Sequence, residues 1–289
     1  MKPSTAFLAS CLFFSAVCAE NCPQPDCCEP VCCQPTYCCE LVYCTNNRLM
    51  AGVNYSRVHL KAKGESLFKG NLGGAHALYE HIRENGFYAG LEFDWRQGQT
   101  HGSDGCRFLI DFNTDERFGY TWTDDDLQKT VYSGFGFRFL GHHFFPSLTS
   151  PAPFNSSFFP SFLSPSGYNQ FQYYEFYFPV GFLSEYTMNP YLSFGVDAAW
   201  QGQVFSTVQI HPHGGAFWTL TNTFGNFYVR GLINIYFTKC RDMCIVISPF
   251  YERWQDGQTD AETSSGTPLG LGKNTYNFFG ADFNFTYSF

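Results

Sequence analysis

Charged side chains are scarce in this chain of 289 residues: 15% are Asp, Glu, Lys or Arg, against roughly 25% in ordinary soluble domains. The basic ones are scarcer still, 17 against 25 acidic, for a net charge of −8. No basic run of the kind that phosphate binding needs is visible, which argues against a nucleic-acid partner. Also missing, apart from the extreme N-terminus, is any stretch near the roughly 18 apolar residues of a spanning helix, so a helical membrane protein is excluded. Aromatic side chains, by contrast, make up 20% of the residues, with 34 Phe and 18 Tyr, and there are 27 glycines. Something other than water must face so much aromatic surface. Apolar residues that alternate with polar ones fit the remaining way of crossing lipid, a closed barrel whose backbone groups are all satisfied between strands.

Residues 1–19 read as a secretory signal peptide: Lys2 supplies the charged start, Ala6 to Val17 the apolar segment, and Val17-Cys18-Ala19 a cleavage site. The mature chain then begins near Glu20. Leu8-Ala9-Ser10-Cys11 looks like a lipoprotein box, but too little apolar sequence precedes it. Cleavage removes Cys11 and Cys18 from the 13 cysteines. Eight of those that remain fall in a short arm at 20–48: Cys22, Cys27, Cys28, Cys32, Cys33, Cys38, Cys39 and Cys44. Pro25, Pro30 and Pro35 precede the three doublets and keep the arm extended, without a core of its own. In an oxidising compartment disulfides are the default fate of such thiols. Neighbouring cysteines pair badly with each other, because the preferred Cα separation of about 5.5 Å exceeds the roughly 3.8 Å between adjacent residues. The number left after cleavage is odd, so intermolecular bridges are expected, with an internal knot plus one free thiol as the alternative. Metal binding fits poorly, since zinc sites space their cysteine pairs two residues apart.

From Leu49 onward the sequence changes character. At its end Phe279, Ala281, Phe283, Phe285, Tyr287 and Phe289 alternate with Gly280, Asp282, Asn284, Thr286 and Ser288, one face suited to lipid and the other to a wet lumen. This resembles the C-terminal signature of bacterial outer-membrane proteins, and the resemblance implies recognition by the outer-membrane assembly machinery. Phe87, Ala89, Leu91, Phe93 and Trp95 repeat the pattern, as do Phe135, Phe137 and Phe139, and Phe227, Val229, Ile233 and Ile235. Strands are expected near 49–61, 86–97, 106–113, 117–123, 131–141, 170–183, 190–210, 215–238, 244–255 and 274–289. The fold class is therefore all-β, an antiparallel transmembrane barrel of about ten strands with eight or twelve as alternatives. The span 106–122 could also be one strand. Short periplasmic turns are expected at 184–189 and 239–243, and outer loops at 62–85, 142–169 and 256–273.

Chemistry on such a barrel is sought in its outer loops and lumen. The loop 142–170 holds Phe144, Phe145, Phe154, Phe158, Phe159 and Phe162, and either folds into the mouth or meets a partner. His76, His81, His142, His143, His211 and His213 fall in expected loops or at a hairpin tip, where turn chemistry accounts for them more simply than metal or pH sensing. One catalytic handle exists: His101 and Ser103, with Asp115 fourteen residues beyond the histidine, in the order used by outer-membrane lipid hydrolases. It sits in a Gly-rich stretch, 97–105, that reads as a periplasmic turn, and the Asp-x-His element of omptin-type proteases is lacking. No enzyme activity, metal or cofactor is expected.

The proline-spaced cysteine doublets followed by an aromatic barrel resemble the cysteine-rich outer-membrane proteins of the chlamydial group. The resemblance implies a bacterial outer-membrane location, lipid around the barrel, and disulfide partners among other cysteine-rich envelope proteins. The expected role is structural or adhesive, cross-linked through the arm. A narrow channel for small solutes is the alternative, since ten strands lie between side-chain-filled barrels and wide porins.

Overall fold

A computed structural model of the protein describes residues 46–62, 65–102, 105–145, 170–211, 217–239, 241–259 and 271–289. Residues 1–19, expected as a signal peptide, all eight arm cysteines, and residues 146–169 and 260–270 lie outside the described residues. The strands are β1 (Asn46–Ala62), β2 (Glu65–Ile82), β3 (Gly86–Gly102), β4 (Gly105–Asp124), β5 (Leu127–Phe145), β6 (Gln170–Asn189), β7 (Leu192–His211), β8 (Phe217–Thr219), β9 (Asn226–Tyr236), β10 (Met243–Asp256) and β11 (Asn274–Ser288). Sequential strands pair antiparallel. β1 pairs with β11 and β6 with β7, so the sheet closes on itself. β8 and β9 both pair with β7, at Thr207–Gln209 and Leu192–Gln201, and together make one interrupted strand, giving a ring of ten.

The first and last strands meet at one rim, where Asn47 and Phe289 exchange backbone hydrogen bonds of 3.1 and 2.9 Å. The turns at this rim are short, and Asn85, Asp125 and Arg241 take left-handed backbone angles in them. Asn and Asp accept that region at low cost. On the outward face, cross-strand rings pack at a tilt as Phe135–Phe178, Phe137–Phe176 and Phe139–Tyr174, with centroids 5.0, 5.0 and 5.3 Å apart, pairs that each add a few tenths to about 1 kcal/mol.

The longest strands, β4, β6 and β7, run 20 residues, about twice the 9–11 that a bilayer crossing requires. The surplus explains a reversal of polarity along the barrel. Near the chain ends β1 turns Leu49, Val53 and Tyr55 outward, 50–60% exposed, and Asn54 and Ser56 inward. Beyond Ser56 the order inverts: Arg57, His59 and Lys61 alternate with buried Val58 and Leu60. The same switch occurs on β2 (Lys69 and Asn71 against Phe68 and Leu72), β7 (Thr207 and Gln209 against Val208 and Ile210) and β11 (Asn277 against Tyr276 and Phe278). The half near the termini thus wears an apolar belt over a polar interior. On β1, β2 and β11 the far half is polar outside, whereas on β6 and β8 it carries Tyr174 and Phe217 outward; inside it is packed by an apolar cluster that includes Leu109, Leu140, Phe171, Trp254 and Phe278.

Several expectations need correction. The stretch 62–85, read as an outer loop, contains β2; its outward residues Gly73, Ala75 and Ala77 are too small to register as an apolar face. The segments 106–113 and 117–123 are one strand, β4, since Asp115 and Arg117 point inward and do not interrupt pairing. The missed strand and the divided one cancel, and the number of ten stands. The span 215–238 is broken at 220–225, where side chains take over the pairing: Thr223 Oγ1 donates to the Gln255 carbonyl at 2.8 Å and Asn226 Oδ1 accepts from the Gln255 amide at 2.9 Å. The polar lumen expected holds only for the half that carries Asn47 and Phe289, and its polar side chains are buried.

Candidate functional site: the lumen and the outer rim

Polar residues with a period of two are placed inside the terminus-side half, and there they meet across the bore. Arg117 lies 3.2 Å from Asp197 and also contacts Glu92, while Arg230 reaches Glu92 at 2.7 Å. Tyr132 and Tyr228 donate to Asp197 at 2.6 and 2.9 Å. Higher up, Arg96 and Arg138 share Asp111 at 2.9 and 2.7 Å and both bond Glu252. Their guanidinium groups stack over Phe278, 4.5 and 5.1 Å from the ring centre.

Three contacts join strands five places apart around the ring of ten, that is, diametrically opposite walls. Arg48 of β1 bonds Glu185 of β6 at 3.0 Å near the chain ends. Arg230 of β9 meets Glu92 of β3 at mid-height. His142 of β5 meets the Tyr276 hydroxyl of β11 at 2.9 Å toward the far end. Charged pairs in so dry a setting are held by geometry rather than by net Coulomb gain, since desolvation offsets most of the attraction. Small residues leave room for the large ones: a Cβ on Gly136 would lie 2.1 Å from the Tyr177 ring, and one on Gly181 2.3 Å from the Tyr132 ring. Two cavities along the bore, one beside Glu92 and Arg230 and one beside Arg48 and Glu185, each have about 20 Å³ free, the size of a water molecule.

Closure with an even strand number, an apolar belt, short turns at the rim holding both chain ends and a final strand of alternating aromatics together fix the class. The chain is a barrel of the bacterial outer-membrane type. No family model matches the sequence, and no curated protein does. Solved structures with a similar form include the outer membrane protease OmpT of Escherichia coli, 10% identical over 85% of this chain and 96% of that one, TM-score 0.47. The translocator domain of the autotransporter NalP of Neisseria meningitidis is 8% identical over 84% of this chain and 88% of its own, TM-score 0.45. Ail, the attachment invasion locus protein of Yersinia pestis, is 12% identical over 83% and 99%, TM-score 0.33.

The residues singled out from sequence fall in different places. Phe279, Phe283, Phe285, Tyr287 and Phe289 are 47–61% exposed on the belt, with Ala281 among them. His101 is exposed at the rim opposite the chain ends, its Nδ1 3.1 Å from Cys106 Sγ. The stretch 97–105 therefore lies at the rim opposite Asn47 and Phe289, not at their rim as the expected periplasmic turn requires, and is partly strand. Ser103 lies outside the described residues. Asp115 is buried in the lumen nine positions down β4 from Cys106, which pairs with His101, about 30 Å away at strand rise. The structure does not bring His101 and Asp115 together. Nor are His76, His81, His142 and His143 in loops: His76 sits in the lumen between Glu92 and Asn284, at 2.8 and 3.2 Å, His81 bonds Asn47, and His143 bonds Gln170. The cross-lumen partners were missed because period-two alternation says which way a residue points and not which strand it faces.

Proposed function

We propose that the protein is a structural or adhesive barrel of the outer membrane, anchored in lipid by its belt and cross-linked to other cysteine-rich envelope proteins through disulfides of its arm. The observation that favours this over the channel reading is the crossing of the lumen at three heights by Arg48–Glu185, Arg230–Glu92 and His142–Tyr276. A conduit needs a continuous bore, whereas interlocked walls suit a rigid anchor. The eight thiols between Cys22 and Cys44, with prolines that prevent a core, favour the cross-linking part. The last strand, ending at Phe289, carries the signal for the assembly machinery. No catalytic role is assigned, since the one handle for it is spread along the barrel.

Two measurements test the reading. Purified barrel in planar bilayers should leave the baseline conductance unchanged. Envelopes run without reductant should give high-mass species that collapse to monomer when reductant is added, and deletion of residues 22–44 should abolish them while the barrel still folds. Steady single-channel currents, or monomer without reductant, would overturn it.

A further inference from the structure

On the outward face, just beyond the reversal of polarity, four cations from β1, β2 and β10 come together although up to about two hundred positions separate them in the chain. The register brings Lys69 opposite His59, His59 opposite Asn277, and Asn277 opposite Arg253, one continuous row across four strands. Arg57 and Lys61 flank His59 on the same face of β1. Facing residues on neighbouring strands lie about 5 Å apart, so the row spans about 15 Å. Lys69, Arg57 and Lys61 are all close enough to act electrostatically on His59.

Among the described residues none of the four cations makes an ion pair. His59 Nε2 and Arg253 Nε are buried and lack a hydrogen-bond partner there. Directly below, on the belt side, lies apolar ring surface: Tyr251 packs on Phe279 with centroids 4.8 Å apart, and Tyr55 is 56% exposed. The opposite wall presents Phe176, Phe205 and Phe217 toward its outer end instead. The cations are therefore confined to one side and to the level where the wall passes from acyl chain to water.

We propose that Arg57, Lys61, Lys69 and Arg253 form a docking surface for the phosphate groups of a phosphorylated glycolipid in the outer leaflet, with its acyl chains along Tyr55, Tyr251 and Phe279. Unpaired cations at a lipid interface are stabilised by anionic headgroups. The aromatic surface beneath supplies the apolar half of the same ligand, which a soluble anion would not use.

The test uses the full chain folded in detergent and, as probes, bisphosphorylated lipid A, its dephosphorylated form and inorganic phosphate, with bound lipid counted by native mass spectrometry. The wild type should retain the bisphosphorylated lipid about tenfold better than the dephosphorylated one. The combined R57Q, K61Q, K69Q and R253Q variant should lose that preference while keeping the heat-dependent gel shift of a folded barrel, and K239Q, at the opposite rim, should keep it. Should the combined variant not fold, K69Q and R253Q singly should each weaken the preference. Equal retention of the two lipids by the wild type would overturn the proposal. So would unchanged retention by the folded variants, or full displacement of lipid by millimolar phosphate, which would mark a site for a free anion.

Discussion

Along β1 the outward residues pass from Leu49, Val53 and Tyr55 to Arg57, His59 and Lys61, while the inward ones pass from Asn54 and Ser56 to Val58 and Leu60. The two halves of one continuous sheet therefore solve opposite problems. Near the chain ends the solvent is lipid, so apolar side chains cost nothing outside and charges must find partners inside. On β1, β2 and β11 the far half meets water outside, and there the apolar side chains turn inward to form a core of the soluble kind. A single backbone pattern, period two, serves both because it fixes alternation without fixing its sense.

The largest expected effect separates the two outward faces. Phe283 and Phe285 are 50% and 48% exposed on the belt of the last strand, where each carboxylate would have to enter lipid. Replacing both by Asp should abolish outer-membrane accumulation, read as loss of the heat-shifted band in envelope fractions. Gln99→Asp, on the outward face of β3 beyond the reversal, should leave yield unchanged and stability within about 0.5 kcal/mol. Normal assembly of the double variant would mean that the belt is not where the reversal places it.

The two interiors should differ in kind. Arg117→Met takes the only cation from Asp197 among the described residues and one of two arginines from Glu92, a loss of about 3–5 kcal/mol. Phe278→Ala opens a hole in the apolar cluster of the far half, for about 3–5 kcal/mol. Phe285→Ala on the belt should cost less, about 1–3 kcal/mol, because lipid fills the space and only the transfer contribution is lost. Urea unfolding of barrel inserted in vesicles measures all three. A Phe278→Ala loss no greater than that of Phe285→Ala would show that the far half has no packed core.

How far the sequence discloses this follows from the same reversal. On β11, Phe279 to Phe289 reads as a lipid face because large aromatics alternate with Asp282 and Asn284, and the structure places them on the belt. β2 is hidden twice over: in its lower half Tyr79 is the one large apolar side chain offered to lipid, after Gly73, Ala75 and Ala77, and its upper half reverses to Lys69 and Asn71 outside. The contacts that seal the lumen join residues as far apart in sequence as Arg230 and Glu92, or His142 and Tyr276. Both those and the basic row at His59 depend on strand register, which local pattern does not encode.

The smallest effect expected is a difference in labelling at two thiols, and it tests orientation without disturbing stability. Cys106 is exposed at the outer end of β4, and Cys244 is buried on the inward face of β10 near the rim that holds the chain ends. If the far half projects into the external medium, a membrane-impermeant maleimide added to intact cells should modify Cys106. Cys244 should react only after unfolding, since the lumen between them is crossed by Arg138–Glu252 and Arg117–Asp197. Peptide mapping by mass spectrometry separates both sites from the arm cysteines. Labelling of Cys244 in intact cells, with Cys106 untouched, would reverse the assignment of inside and outside, and would move the basic row to the inner leaflet.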